Sequence, residues 1–515
     1  MIKRIHTALL AEFAEMMGIQ LGLCFPKERW LDLIKGVQAA SKEFGFDDPE
    51  ACIRWLMSTP LKKSQIETLA SQFTVGETYF FREPKVFEAL EKQILPGMIQ
   101  ARRDSDRRIR IWSAGCCTGE EAYSLAILLC RLIHDIQQWN VSILASDINP
   151  HFLQKASEGV YREWSFRGTP YWLKENYFTP TPDGNYEILP QIKRMVKFQY
   201  LNLVEDSYPS LFNDTNAMDI VFCRNVLMYF TQDHMVQAIN RFYQSLMDKG
   251  WMVVGSSETS HIFFPQYTAC NFPGAILYLK DTGTKRRFKD YIPHDHPDFR
   301  GIEEPAFASA MTAEFRAVHE RTAPVRTRPR PHPIRMPEVE TIVASEPAPK
   351  TEYEEFCSLY EAGDYGAVIA RTTEAMAQSS GDPRLMTLLA KAYANQGKLN
   401  DAIVWCEKAI STEKLNPVFH HLRAVILQEQ GHLDEAIASL KRALYLDSNF
   451  VLAHFMLGNL SRQAGRLRES RKYFENAMAL LNGTGQDAVI TESDGLTAGR
   501  LREMISLSLS REMNA

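Results

Sequence analysis

Across 515 residues the chain has no apolar run near the ~18 needed to cross a bilayer, no C-x-x-C pair among its nine cysteines, and no surplus of one charge, with 58 basic side chains against 63 acidic ones. Each absence excludes a class. The first argues against membrane insertion. The opening MIKRIHTALLAEF alternates charge with apolar residues where a signal peptide would hold an unbroken apolar core, so a cytoplasmic chain is expected. An odd number of cysteines without metal-ligand spacing reads as reduced, mostly buried thiols, including the adjacent Cys116 and Cys117, and no metal is expected. A net charge of -5 leaves no basic footprint for nucleic acid.

A phosphate-binding G-x-G-x-x-G loop is also missing. Residues 108–129, RIRIWSAGCCTGEEAYSLAILL, hold a β-rich run, a tight loop with Gly115 and Gly119, and an apolar-periodic helix that opens on Glu120 and Glu121. Two carboxylates at a helix N-terminus would repel a pyrophosphate. They tolerate a cofactor with a ribose, no phosphate and a positive centre, which describes S-adenosylmethionine.

The length calls for two or three domains. Helical periodicity fills the first 75 residues, with helices expected over Lys27 to Phe44 and Pro49 to Met57. Short apolar runs then alternate with helices: Ile109 to Ser113, Val141 to Ser146, Met195 to Tyr200, Asp219 to Cys223 and Met252 to Gly255. That alternation predicts an α/β domain over 76–282 with a mostly parallel sheet. Tyr177 to Ile188, with its Asp-Gly pair, suggests a small antiparallel excursion near the cofactor end. A Pro/Arg-rich linker is expected over 283–350.

A second signal lies at 351–482. Gly363, Gly397, Gly431 and Gly465 recur every 34 residues, as do Ala375, Ala409, Ala443 and Ala477. The units QGKLNDAIVWCEKAI, QGHLDEAIASLKRAL and AGRLRESRKYFENAM look like tetratricopeptide repeats, and AGDYGAVIARTTEAM like a degenerate first copy. Such a solenoid binds protein or peptide. It is expected to hang on the linker and to be dispensable for chemistry, followed by a tail over 483–515 with a helix.

Three segments carry candidate chemistry. Asp147 ends an apolar run where a doubly wound sheet faces a cofactor ribose; with Asn149 before Pro150, it has helix capping as the competing role. In FCRNVLMYF, Arg224 and Asn225 follow an apolar strand, and Tyr229 falls one turn later. In FTVGETYFFREP, Thr78 and Arg82 belong either to a helix entry or to a lid whose guanidinium clamps a carboxylate.

Taken together, FTVGETYFFREP, IWSAGCCTGEEAYSLA, ASDINPHFLQKASEGVY, YLNL and IVFCRNVLMYF resemble the CheR-type chemoreceptor glutamate O-methyltransferases in order and separation, over about residues 5 to 280. The resemblance implies a Rossmann-like class I S-adenosylmethionine-dependent methyltransferase fold with a small antiparallel β-subdomain, an N-terminal all-α domain over 1–75 that meets the receptor, and a C-terminal α-solenoid. It implies cofactor contacts from Gly76, Thr78, Arg82, Glu121, Asp147, Asn202, Leu203, Arg224 and Asn225, with Arg82 and Tyr229 placing the reacting centre. The implied partner is the cytoplasmic helical bundle of a chemoreceptor. Gly76 stands where many members have Asn. The interval from Phe178 to Asn202 is a few residues shorter than in members that dock on a receptor pentapeptide, which implies recognition without that tether. Lys27, Arg29, Lys35 and Lys42 are interleaved with acids where the family's receptor-facing helix is often strongly basic.

A glutamate acceptor needs no general base, since its carboxylate is ionised at neutral pH. An amine acceptor would need one, and neither His134 nor His151 lies in a motif that supplies it. A small-molecule acceptor and a catalytically silent scaffold are the other readings.

Overall fold

The computed structural model describes residues 5–283, 351–378, 381–486, 488–493 and 495–513. Beyond Gly283, the expected linker lies outside them. The chain opens with α1 (Thr7–Leu21), α2 (Trp30–Glu43), α3 (Pro49–Met57) and α4 (Lys63–Phe73). Their limits are local. Asp48 caps α3 by accepting from the Ala51 N–H at 3.2 Å, with Pro49 at the first helical position, where its missing N–H costs nothing. The helix expected from Lys27 begins only at Trp30, because Lys27–Arg29 winds as a tighter 3-10 turn. The four apolar faces close over Phe13, Met17, Leu33, Ile53 and Leu69, each burial contributing roughly 1.5–3 kcal/mol.

Helices α5 (Pro84–Ala89) and α6 (Leu95–Arg102) lead into the sheet domain. Its strands are β1 (Arg108–Ala114), β2 (Asn140–Asp147), β3 (Val160–Tyr161), β4 (Phe178–Pro180), β5 (Tyr186–Ile188), β6 (Val196–Tyr200), β7 (Met218–Cys223), β8 (Leu246–Val254), β9 (Thr268–Phe272) and β10 (Ala275–Leu279). Seven of them form one sheet in the order β6-β2-β1-β7-β8-β10-β9. The first five pair in parallel, and the β9–β10 hairpin adds antiparallel. That hairpin was not among the runs read from the sequence. The crossovers include α7 (Glu120–Leu132), α8 (Pro150–Glu158), α9 (Trp172–Tyr177), α10 (Pro190–Lys193) and α11 (Gln232–Ser245). The antiparallel excursion is a separate sheet, β3-β5-β4. Its Phe178 packs on Phe80 and Phe166 with ring centroids 5.0 and 4.8 Å apart.

The repeats form four helix pairs: α12 (Glu352–Glu361) with α13 (Tyr365–Gln378), α14 (Pro383–Asn395) with α15 (Leu399–Thr412), α16 (Pro417–Glu429) with α17 (Leu433–Leu446), and α18 (Val451–Gln463) with α19 (Leu467–Leu481). The periodic glycines sit in the turns at φ of 75°, 71°, 83° and 72°, a left-handed region closed to most side chains. Ala409, Ala443 and Ala477 are fully buried where paired helices cross. Ala375, in the degenerate first repeat, is half-buried. A last helix, α20 (Ala498–Met513), ends the described chain.

The repeats are not merely tethered, which corrects the sequence expectation. Arg108 and Arg110 open β1 and are buried at 3% and 5% exposure, because α16 delivers Glu429 to them. Its carboxylate lies 3.0 Å from each guanidinium and accepts from Asn216 Nδ2 at 2.8 Å. The Glu429 carbonyl takes a bond from Asn140 at 2.8 Å. Leu211 enters the repeat core, and Phe212 stacks on Phe455 at 5.8 Å. The contact covers the N-terminal edge of the parallel strands.

Candidate functional site

The opposite, C-terminal edge carries a cleft whose space, open mouth included, is about 1010 Å³. Its position follows from topology. β1 is the strand from which the connections leave in opposite directions, to β2 and β6 on one side and to β7 and β8 on the other, and ligands gather at that switch point.

The loop after β1 forms one wall. Gly115, at φ 79°, turns the chain so tightly that a Cβ there would lie 2.3 Å from Val226. The Gly115 and Cys116 N–H groups both donate to the Ser146 carbonyl, at 2.8 and 2.9 Å. Glu121, on α7, faces the cleft and accepts from Ser113 Oγ at 2.8 Å and Arg224 Nη1 at 3.1 Å. Glu120 does not line the cleft. It is buried on the other side of α7, accepting from Thr118 and Ser165 at 2.6 and 3.0 Å. Burial raises its pKa. Of the two carboxylates invoked against a phosphate cofactor, one reaches the site, since adjacent helical residues point about 100° apart.

Asp147 and Asn149 divide the two roles left open. Asn149 caps α8, its Oδ1 accepting from the His151 and Phe152 N–H groups at 3.0 and 3.3 Å. Asp147 lines the cleft instead, held by the Cys117 and Asn149 N–H groups at 2.8 and 2.9 Å. Burial pushes its carboxyl up to about 6, against the pull of these backbone donors.

Asn202 and Leu203, after β6, continue the wall. The Asn202 N–H donates to Asp206 at 2.7 Å, and its Nδ2 to the Gln20 carbonyl at 3.4 Å. Arg224 and Asn225, after β7, also line the cleft. Arg224 donates to the Arg82 carbonyl at 2.7 Å and pairs with Glu83 at 3.4 Å, while its Nε and the Asn225 Oδ1 are buried without a protein partner.

The loop between α4 and α5 bends over the cleft and puts Thr78 and Arg82 on its wall. Arg82 Nη1 donates to the Glu77 carbonyl at 2.6 Å. Pro84 opens α5, so the segment is both helix entry and cleft wall. Gly76 is not on the wall. A Cβ there would meet the Phe152 ring at 2.8 Å, so the position has no room for a side chain as packed. Tyr229, in the 3-10 turn Leu227–Tyr229, lines the cleft with its ring 5.2 Å from the Arg29 guanidinium. Its carbonyl accepts from Cys24 at 2.7 Å, which seats the helical domain on the rim. Phe81, Glu83, Cys117 and Asn225 all hold positive φ around the cleft, strain that only surrounding contacts sustain.

One residue was not read from the sequence. Glu258 accepts from the Asn225, Val226, Gly255 and Met228 N–H groups at 2.6, 2.9, 2.9 and 3.1 Å. It pins the loop that carries Arg224, Asn225 and Tyr229. Its only signal was an acid shortly after an apolar strand, in GSSE.

Among the described residues no group of side chains could hold a metal ion, and no helix is long and apolar enough to cross a membrane. Residues 76–268 match the family described as CheR methyltransferase, SAM binding domain. Residues 359–426 and 421–481 match tetratricopeptide repeat families. The chemotaxis protein methyltransferase of Borreliella burgdorferi is 36% identical over 38% of this chain and 68% of its own length. Chemotaxis protein methyltransferase 2 of Vibrio cholerae is 34% identical over 38% and 66%, and chemotaxis protein methyltransferase 1 of Pseudomonas aeruginosa 32% over 41% and 76%. A sheet whose topological switch opens on a cleft with a buried acid, and these matches across it, lead to one conclusion: the chain belongs to the CheR family of S-adenosylmethionine-dependent chemotaxis methyltransferases and carries C-terminal tetratricopeptide repeats.

Proposed function

We propose that the protein esterifies glutamate side chains on the cytoplasmic helical bundle of chemotaxis receptors, engaging them without a receptor-tail tether. The observation that carries this reading is the kind of residue lining the cleft: among the described residues no histidine or lysine lines it, and its carboxylates Asp147, Glu121 and Glu77 are held by other groups, Glu77 by Arg167. An acceptor that must lose a proton is poorly served there. A carboxylate acceptor is already a nucleophile at neutral pH.

The cleft also suits the cofactor. In this reading Asp147 accepts from the ribose, and Asn202, Leu203, Glu121, Thr78, Arg224 and Asn225 contact the rest of the cofactor, Asn225 its amino-acid portion. The orphaned Arg224 Nε and Asn225 Oδ1 are a donor and an acceptor that such a group would satisfy. When bound, S-adenosylmethionine supplies an electrophilic methyl on a sulfonium. The chain's own task is alignment, which can lower a barrier by roughly 7 kcal/mol or more. Arg82 and Tyr229, on the rim, orient the acceptor carboxylate. Arg82 already donates to Glu77, which tempers its grip on an anion whose charge is lost on esterification. Gly76 has no side chain to offer, so its part is to leave room for Phe152. The shortened interval from Phe178 to Asn202 is what supports a β-subdomain that does not need a tail peptide.

The domains follow: residues 1–75 meet the receptor, 76–282 bind cofactor and transfer the methyl, 283–350 link, 351–482 hold a protein partner, and 483–515 close the chain. The test is incubation with tritiated cofactor and receptors from the same cell. Label released as methanol in mild base supports the ester; base-stable label points to an amine acceptor and overturns it.

A further inference from the structure

The residues after the last repeat fold back between the repeats and the catalytic domain. Ile490 N–H donates to the Leu496 carbonyl at 2.8 Å and Ala498 N–H to Ala488 at 2.8 Å, closing a hairpin whose described residues are 488–493 and 495–498. Its tip is Glu492, at φ 63°, a conformation that costs a non-glycine residue and is kept only by contacts elsewhere. That contact is Lys391 on α14, 2.7 Å away. Ile490 and Leu496 pack with Leu452 and Phe455 of α18. The hairpin thus occupies the face formed by the first helices of successive repeats.

It continues directly into α20, whose Arg500 leaves the repeats altogether. Arg500 Nη2 donates to the Tyr200 carbonyl, its guanidinium stacks 4.1 Å from the Tyr200 ring, and it lies 3.8 Å from Asp206. Asp206 in turn holds the Asn202 N–H. Tyr200 and Asp206 bracket Asn202 and Leu203 on the cleft wall.

We propose that this hairpin, through its residues 488–493 and 495–498, is a strap joining the repeat face to the cofactor cleft, anchored by Glu492 on Lys391, and that Arg500 is a positioning residue for the loop that carries Asn202 and Leu203. The inference rests on the reading of this cleft as the cofactor site. It makes the repeat face and the cofactor site thermodynamically linked, so that what binds one changes affinity at the other.

The test is calorimetric binding of S-adenosylhomocysteine to the full chain. Arg500→Ala is expected to weaken binding about tenfold, with Arg500→Lys, which keeps the charge, recovering part of it. Glu492→Gln and Lys391→Met, which release the strap from its two sides, should weaken binding in the same sense. Each should weaken it no further once Arg500 is already Ala. Thermal midpoints read alongside separate this from general loosening, which would lower them in proportion to the affinity loss and overturn the proposal. Cofactor affinity within about twofold of the parent in Arg500→Ala, or in both strap variants, also overturns it. Failure of the parent chain itself to bind would instead overturn the cofactor reading.

Discussion

The carboxylate of Glu429, at the end of a repeat helix, lies 3.0 Å from the guanidinium of Arg108, at the start of the central strand, with both side chains 4% exposed. Arg110 shares the same oxygen, and desolvation and the neighbouring Arg110 lower the pKa of Arg108. Removing one member of such a set leaves buried charge uncompensated. Glu429→Ala should therefore cost about 3–5 kcal/mol in denaturant unfolding. Replacing Glu429, Arg108 and Arg110 together by leucine or methionine should restore most of it. A cost under about 1 kcal/mol for Glu429→Ala, typical of exposed pairs, would show that this contact stays open to water.

Cofactor affinity should depend on acid through Asp147. Its folded pKa of about 6 lies above the ordinary 3.8, so between those values the folded chain holds a proton that the unfolded chain has released. The group's contribution to stability is fully present below 3.8 and is lost as pH rises through 6. Accepting from ribose hydroxyls needs the anion, so the cofactor dissociation constant should rise about tenfold per pH unit below that pKa and level off above it. Titration calorimetry across this range checks it, and Asp147→Asn should abolish the dependence along with most of the affinity.

Glu258 does not itself line the cleft yet holds three backbone donors of the loop that does, and the Gly255 N–H beside its own turn. Glu258→Ala should reduce turnover with saturating receptor by about ten- to a hundredfold, since hydrogen bonds to a charged group contribute roughly 1.5–3 kcal/mol each. Glu258→Asp, with its shorter reach, should recover little. Steady-state kinetics that show an unchanged rate would mean the loop keeps its shape unaided.

Restoring the asparagine common in the family at Gly76 should not strengthen cofactor binding. The new Cβ would press on the Phe152 ring at 2.8 Å, and overpacking of this kind costs about 1–3 kcal/mol. Gly76→Asn should lower affinity, and pairing it with Phe152→Leu should return it. Calorimetry on both variants decides this.

How much of this was legible depended on whether the signal was local. The β1 loop, the Asn149 cap, the repeat turns and the five parallel strands are written in neighbouring residues, and each was readable at its place. The β9–β10 hairpin was missed because Thr268–Phe272 lacks strict alternation and Asn271 breaks its apolar run. Glu120 was misassigned because adjacency in sequence says nothing of which helix face a residue takes. Of the site, Asp147, Glu121 and Arg224 lie at strand ends or first turns, where topology alone predicts a wall. Glu258 holds the loop after β7 through backbone donors 30 to 33 residues away, a relation no spacing rule captures. Nothing near Arg108 and Arg110 in the sequence marks them as buried, and only a partner more than 300 residues on explains their burial.

That last pair has an evolutionary side. A strand that begins with two arginines is an odd entry to a parallel core unless something acidic is certain to meet it, so these positions and Glu429 should change together or not at all. The expected mark of that dependence, among chains that fuse this catalytic unit to helical repeats, is an Arg-x-Arg opening β1 found together with an acid at the close of a repeat helix. Such a pairing would sort fusions in which the repeats are built into the enzyme's body from those in which they are only strung behind it.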